Sequence, residues 1–409
     1  LFRSLHLAEK HHAAGRFPET ESICQQILQA DPNQPVALHL LGVISYQVGR
    51  HDTAVELITK ALVIKPNFAA AHSNLGNALK GLSRLDDAVD SYTKAILLNP
   101  DLAVVHNNLG NALQEMGRLD EAVASYHKAL HIDPGYAEAH SNLGDTFREL
   151  GRLDDAITSC EKSISIRPDF AEAHGNLGVI LYELNRLDEA IASYRKALSI
   201  NPDLANLWSA FAESMKTFLF TSADDNLRKD LLHLLEQPII SPSKIVRPII
   251  SALRHQPDFS QILELITSAK PEIEIAWGDV AKRLSAIPLF LRLIEQSPIY
   301  DLEIEGMLTY LRRAMIKKAA AGKTDVEGFA FSTALALQCF VNEYVYPETG
   351  EEKAAVENLY QRIAGLVESE LDVPPSFIAT LGAYRPLYIF PWARELSERE
   401  WVGDIKEVI

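Results

Sequence analysis

Residues 103–134 read AVVHNNLGNALQEMGRLDEAVASYHKALHIDP, and this stretch decides the fold. Leu109, Gly110 and Leu113 recur at helical spacing, and so do Leu119, Ala122, Tyr126 and Ala129, so each set marks the apolar stripe of one helix. Gly117 falls between the two stripes, where a left-handed backbone is needed to reverse the chain. Asp120 follows in the first turn of the second helix, facing its positive end. Pro134 stops that helix. The stretch is a helical hairpin with one apolar stripe on each arm.

Outward from it, the pattern recurs every 34 residues: AAAHSNLGNALKGLSRLDDAVDSYTKAILLNP from Ala69, AEAHSNLGDTFRELGRLDDAITSCEKSISIRP from Ala137, and a further copy from Ala171. Earlier units begin at Leu1 and Pro35, and Pro32, Pro66, Pro100, Pro134, Pro168 and Pro202 keep one register. Gly49 and Gly151 repeat the role of Gly117, and Asp154 and Asp188 that of Asp120. Six units without an insertion therefore occupy residues 1–204. The pattern resembles the tetratricopeptide repeat, TPR. That resemblance implies an all-α, right-handed superhelical solenoid whose concave groove binds an extended peptide or protein. Two departures stand out: His72, His106, His140 and His174 replace a customary large aromatic, and Ala8 replaces Gly in the first unit.

The first helix of each unit lines such a groove. Asn74, Asn108, Asn142 and Asn176 recur at one position, with Asn77, Asn111 and Asp145 one turn later. An amide offers both donor and acceptor, so this row suits the backbone of an extended peptide whatever its side chains. The competing reading is that the amides satisfy backbone groups between repeats. A similar ladder marks the repeat region of O-linked N-acetylglucosamine transferases, which these units resemble. The four histidines recur once per repeat, roughly 10 Å apart for packed helices, too far for one ion, so no metal is expected. Cys24 and Cys160 take the place of Tyr92, Tyr126 and Tyr194 and read as core residues, as does Cys339.

Beyond the array, ANLWSAFAESMKTF from Ala205 reads as a capping helix, with a junction to residue 220. From residue 221 the register is lost but helical spacing persists through LRKDLLHLLEQ, KIVRPIISALRH, FSQILELI, VAKRLSAIPLFLRLIEQ, EIEGMLTYLRRAMIKKAA, FAFSTALALQCFVNEYVY and AAVENLYQRIAGLVES. A second α-helical domain over 221–409 is expected. AAAGKT, ending at Lys323 and Thr324, lacks the first glycine and the preceding strand of a phosphate loop. Asn342, Glu343 and Tyr344 at an apolar helix end read as a satisfied structural network, and so does Arg385 among the aromatics of AYRPLYIFPW. No catalytic or cofactor-binding residue is expected in this chain.

FTSADDNLRKDLLHLLEQP, RPIISALRHQPDF, LALQCFVNEYVY and YRPLY resemble the helical middle region of bacterial TPR proteins fused to a class I S-adenosylmethionine-dependent methyltransferase. That likeness spans residues 205–400 and implies a recruiting, non-catalytic part of a longer enzyme. Two other functions compete. One is a TPR-containing glycosyltransferase or sulfotransferase relative with its chemistry in 205–409, which would need parallel strands. The other is a self-assembling structural protein joining through its solenoid ends.

The formal net charge of −16 and pI of about 5.3 argue against nucleic acid and anionic membrane surfaces as partners. Three cysteines without a CxxC pair fit reduced thiols and a cytoplasmic setting, and no apolar run is long enough to span a bilayer.

Overall fold

The structure, a computed structural model, describes residues 2–216, 224–268, 277–323, 329–341, 348–369 and 371–392. Among these residues there are helices and no strands, and no helix is long and apolar enough to cross a membrane. Chain contacts divide the molecule into two units, Leu1–Pro202 and Asp203–Ile409.

The first unit is six helical hairpins: α1 (Phe2–Ala13) with α2 (Phe17–Ala30), α3 (Pro35–Gln47) with α4 (His51–Ile64), α5 (Ala69–Gly81) with α6 (Leu85–Leu98), α7 (Ala103–Glu115) with α8 (Leu119–Ile132), α9 (Ala137–Glu149) with α10 (Leu153–Ile166), and α11 (Ala171–Glu183) with α12 (Leu187–Ile200). Each second helix also touches the first helix of the next hairpin, and α3, α5, α7, α9 and α11 touch one another in succession. The first helices therefore form one continuous layer, as the solenoid reading requires.

Close approach within a hairpin depends on missing atoms. A Cβ placed on Gly76, Gly110 or Gly178 would sit 2.6, 2.6 or 2.8 Å from the ring of Tyr92, Tyr126 or Tyr194. At Gly144 the neighbour is Cys160 Sγ, also at 2.6 Å. In the first hairpin Ala8 is fully buried in one cluster with Cys24. The first hairpin thus carries a methyl where the fifth, also with a cysteine opposite, carries none. Burial lifts the Cys24 thiol to about 11 and the Cys160 thiol to about 12, so both remain protonated core groups.

The reversal between arms needs a positive φ in all six units. Gly15, Gly49, Gly117 and Gly151 supply it at 71° to 77°, while Ser83 and Asn185 adopt 58° in the third and sixth. The histidines tie hairpins end to end. His72, His106, His140 and His174 each place Nε2 2.9–3.2 Å from the carbonyl of Pro66, Pro100, Pro134 and Pro168, at the close of the preceding hairpin. A carbonyl only accepts, so Nε2 carries the proton in all four. Their role is to hold the connecting turn.

The second unit holds α13 (Ala205–Met215), α14 (Asp225–Glu236), α15 (Val246–Arg254), α16 (Pro257–Ser268), α17 (Trp277–Ser285), α18 (Pro288–Gln296), α19 (Leu302–Ala320), α20 (Phe329–Val341), α21 (Gly350–Glu368) and α22 (Pro375–Gly382). VAKRLSAIPLFLRLIEQ, which reads as one periodic run, is two helices, because Pro288 cannot continue α17 and instead starts α18. α22, PSFIATLG, is a short buried helix whose near-continuous apolar sequence carries no amphipathic signal. Gly322 and Lys323 of the phosphate-loop echo follow the carboxy-terminal end of α19. Thr324, Asn342, Glu343 and Tyr344 lie outside the described residues.

Candidate functional site

The first-helix layer brings the predicted row together. Asn74, Asn108, Asn142 and Asn176 occupy one register of α5, α7, α9 and α11, with Asn77, Asn111 and Asp145 one turn on, and all seven are half-buried. Their hydrogen bonds run sideways, from hairpin to hairpin. Asn74 Nδ2 lies 2.9 Å from His39 Nε2, Asn108 Nδ2 donates to Asn77 Oδ1 at 3.0 Å, and Asn176 Nδ2 donates to Ser141 Oγ at 3.2 Å. Asn142 Nδ2 donates to both Asn107 Oδ1 and Asn111 Oδ1 at 3.0 Å. One half of each amide is thus used between repeats, on side chains rather than the backbone groups of the competing reading.

The other halves remain open. Among the described residues no partner bonds Oδ1 of Asn74, Asn108, Asn142 or Asn176, so these four carbonyls form a row of acceptors. Asn77 and Asn111 are oriented the opposite way. Asn77 Oδ1 accepts from Tyr92 Oη at 2.7 Å, and Asn111 Oδ1 accepts from Tyr126 Oη at 2.7 Å, which leaves both Nδ2 groups as free donors. The buried tyrosine that fills the glycine gap therefore also sets the amide above it.

The donor row ends at α9. Cys160 cannot bond the position above it, and Asp145 instead accepts from Gln114 Nε2 at 2.8 Å and pairs with Arg148 at 2.9 Å. In the last hairpin Val179 stands in that register. The complete donor and acceptor set is confined to α5 and α7. Two recesses open there: one of about 350 Å³ bordered by Tyr46, Asn77, Lys80, Asn108 and Glu115, and one of about 490 Å³ bordered by Asn111, Gln114, Asn142 and Glu149.

A second ladder, missed in the sequence, runs along the carboxy-terminal ends of the same helices. Lys80 Nζ meets Glu115 at 2.7 Å, Gln114 Nε2 donates to Glu149 at 2.7 Å, and Arg148 meets Glu183 at 3.1 Å. Each bond joins one hairpin to the next at the same two positions. The signal was present as a polar residue followed 35 positions later by Glu.

His39 is a buried member of the network, 7% exposed and tilted against Phe68. Burial, aided by the nearby His12 charge, lowers its pKa to about 4, so the ring is neutral and accepts from Asn74.

Sequence profiles of the tetratricopeptide repeat match residues 11–79, 69–102, 101–169 and 171–204. Residues 11–204 are tetratricopeptide repeats. These repeats form a TPR scaffold, an architecture typical of protein-interaction modules. Among proteins of curated function none matches the chain. Solved structures similar to it include MamA, 28% identical, covering 39% of this chain and 94% of that one at a TM-score of 0.37. YrrB, described as a TPR protein with an unusual peptide-binding site, is 20% identical and covers 46% and 96% at a TM-score of 0.38. PilF of Pseudomonas aeruginosa is 19% identical and covers 52% and 96% at a TM-score of 0.45.

Proposed function

We propose that the TPR array binds an extended polypeptide along its first-helix layer, centred on α5 and α7, by pairing with the partner's main chain. The observation that carries this reading is the opposed orientation of the two amide rows. Asn74 and Asn108 offer carbonyls while Asn77 and Asn111 offer N–H groups, which is the complement of a peptide unit's own donor and acceptor. Every position is locked by a bond to a neighbouring side chain, so the rows are already set before a partner arrives.

The test is fluorescence anisotropy with short labelled unstructured peptides. Replacing Asn74, Asn77, Asn108 and Asn111 together with Ala weakens binding by more than tenfold, at about 1 kcal/mol for each amide bond lost. Unchanged affinity would overturn the reading. So would a loss of affinity fully explained by a lower melting temperature.

The finer reading is that this array recruits the substrate of a methyltransferase carried by a longer protein. Its support is the sequence likeness of residues 205–400 to the middle region of TPR-fused methyltransferases. Sequencing the gene past the codon for Ile409 tests it, since a Gly-rich strand-loop-helix there supports it and its absence removes it.

A further inference from the structure

A larger recess, of about 680 Å³, lies away from the amide rows, between the second helices α8 and α10 with α9 beneath. None of the seven amide-row residues borders it. Its floor is apolar, made by Leu130, Leu143 and Phe147, which all belong to the core packing around Tyr126. Phe147 stands where Leu79, Leu113 and Leu181 stand in other hairpins, and His127 where Thr59 and Thr93 stand. The wall that α10 supplies includes Thr158 and Ser165, both short and exposed, so the recess stays open above its floor.

The rim of this recess is cationic. Arg152 lies 4.3 Å over the Phe147 ring and pairs with Asp155 at 2.7 Å, so these two charges offset each other. His127 is tilted against the same ring at 6.3 Å. Lys162 has no ion pair among the described residues. The remaining acid on the rim, Glu161, acts on Arg186 of the next hairpin. His140, bonded to the Pro134 carbonyl, registers what is left: burial lowers its pKa, and the charges of Lys162 and His127 lower it further. An apolar floor beside a cation without an acid suits a segment that brings a bulky apolar side chain and a carboxylate together.

We infer that this recess is a second docking site, for an acidic segment of a partner polypeptide that seats one aromatic side chain over Leu130, Leu143 and Phe147 and sets an Asp or Glu against Lys162. The Arg152 guanidinium and the His127 ring frame that aromatic group as they already frame Phe147. A basic segment meets like charge at Lys162 and is turned away. The site goes beyond the main-chain reading and does not depend on it, because α8, α9 and α10 build it while the complete amide set belongs to α5 and α7.

Anisotropy with three labelled peptides of equal length decides it: one Trp flanked by Asp residues, the same peptide with Ser in place of Trp, and the same peptide with Lys in place of every Asp. The acidic Trp peptide binds about tenfold or more tighter than either of the others. Lys162→Glu weakens it about fivefold at low salt, and that loss shrinks at high salt. Thr158→Trp, at an exposed position on the wall, fills the recess and removes binding without lowering the melting temperature. Replacing Asn74, Asn77, Asn108 and Asn111 with Ala leaves the affinity of this peptide at the wild-type value. Equal affinity of the Trp and Ser peptides, or wild-type affinity in the Lys162→Glu protein, overturns the inference while the main-chain reading stands. Loss of binding in the fourfold Ala protein places the peptide on the amide layer and overturns it too. Self-association of the chain that Thr158→Trp disperses puts a second copy in the recess, and the acidic-segment assignment then falls.

Discussion

The repeat face and the carboxylate cluster of the second unit are both polar networks, yet they are built to opposite ends. On the repeat face each amide uses one group to lock its orientation and leaves the other toward solvent. Around Glu352 both carboxylate oxygens are taken up inside the protein. Its carboxylate is 2% exposed, closes the amino-terminal cap of α21 by accepting from the Thr349 N–H at 2.8 Å, and takes Tyr384 Oη at 2.9 Å and Arg313 Nε at 3.2 Å. Arg312, 1% exposed, stands 3.7 Å away and lies 4.4 Å over the Tyr384 ring. Burial pushes the Glu352 pKa up, but the Thr349 and Tyr384 hydrogen bonds and the Arg313 charge outweigh it and the net shift is downward. The lesson is that a satisfied network signals structure only when its valences all point inward. A half-satisfied row on an open layer is arranged for something else.

The difference predicts unequal stability costs, and the tryptophans make it measurable. All four of them, Trp208, Trp277, Trp392 and Trp401, belong to the second half, so fluorescence follows that half while far-ultraviolet dichroism follows the whole chain. Glu352→Ala strands the buried Arg312 guanidinium and costs about 3–5 kcal/mol in urea unfolding followed by tryptophan fluorescence. Asn108→Ala, on the open face, shifts the dichroism transition by less than about 1 kcal/mol. Comparable losses would erase the distinction.

His39 is where the repeat face behaves like a core. Its folded pKa of about 4 lies below the ordinary 6.5, so the unfolded chain binds more protons between these values and stability rises with pH across that window. Moving the wild type from pH 7 to pH 4 costs the repeats up to about 3 kcal/mol from this group. His39→Asn, which copies Asn107 of a later hairpin, flattens that part of the pH profile. An unchanged profile would place the sensitivity elsewhere.

Gly110→Ala tests whether the core sets the face. The added methyl meets the Tyr126 ring and costs about 1–3 kcal/mol. Because Tyr126 orients Asn111, the same change also weakens peptide binding. Adding Tyr126→Cys removes the ring but does not restore binding, because no hydroxyl then reaches Asn111. The smallest effect is expected at the turn, where Ser83→Gly relaxes a left-handed residue and raises stability by about 0.5–1 kcal/mol without touching affinity.

Much of this was legible in residues 103–134 and their copies. Periodicity gave the hairpins, and a proline and a small turn residue at fixed offsets gave their ends. The inward row of Asn74, Asn108, Asn142 and Asn176 was readable too, because one side of every first helix repeats. Which atom of each amide faces the groove was not, since it depends on Tyr92 and Tyr126 reaching through from the second helix. The histidines were read only as too far apart to share an ion, and the bond each makes to a carbonyl six residues earlier is a contact that apolar periodicity does not encode. In the second half, α17 and α18 merged in the pattern because apolar residues continue on both sides of Pro288.

The lateral bonds from Asn74, Asn108, Asn142 and Asn176 also have a calorimetric signature. Immobilising a side chain on association costs about 0.5–1.5 kcal/mol of entropy, and here that ordering has occurred during folding. On the proposed main-chain reading, a peptide meeting this layer binds with an entropy loss that belongs mainly to the peptide. On that reading a proline-stiffened ligand gains affinity that a rearranging receptor would deny it.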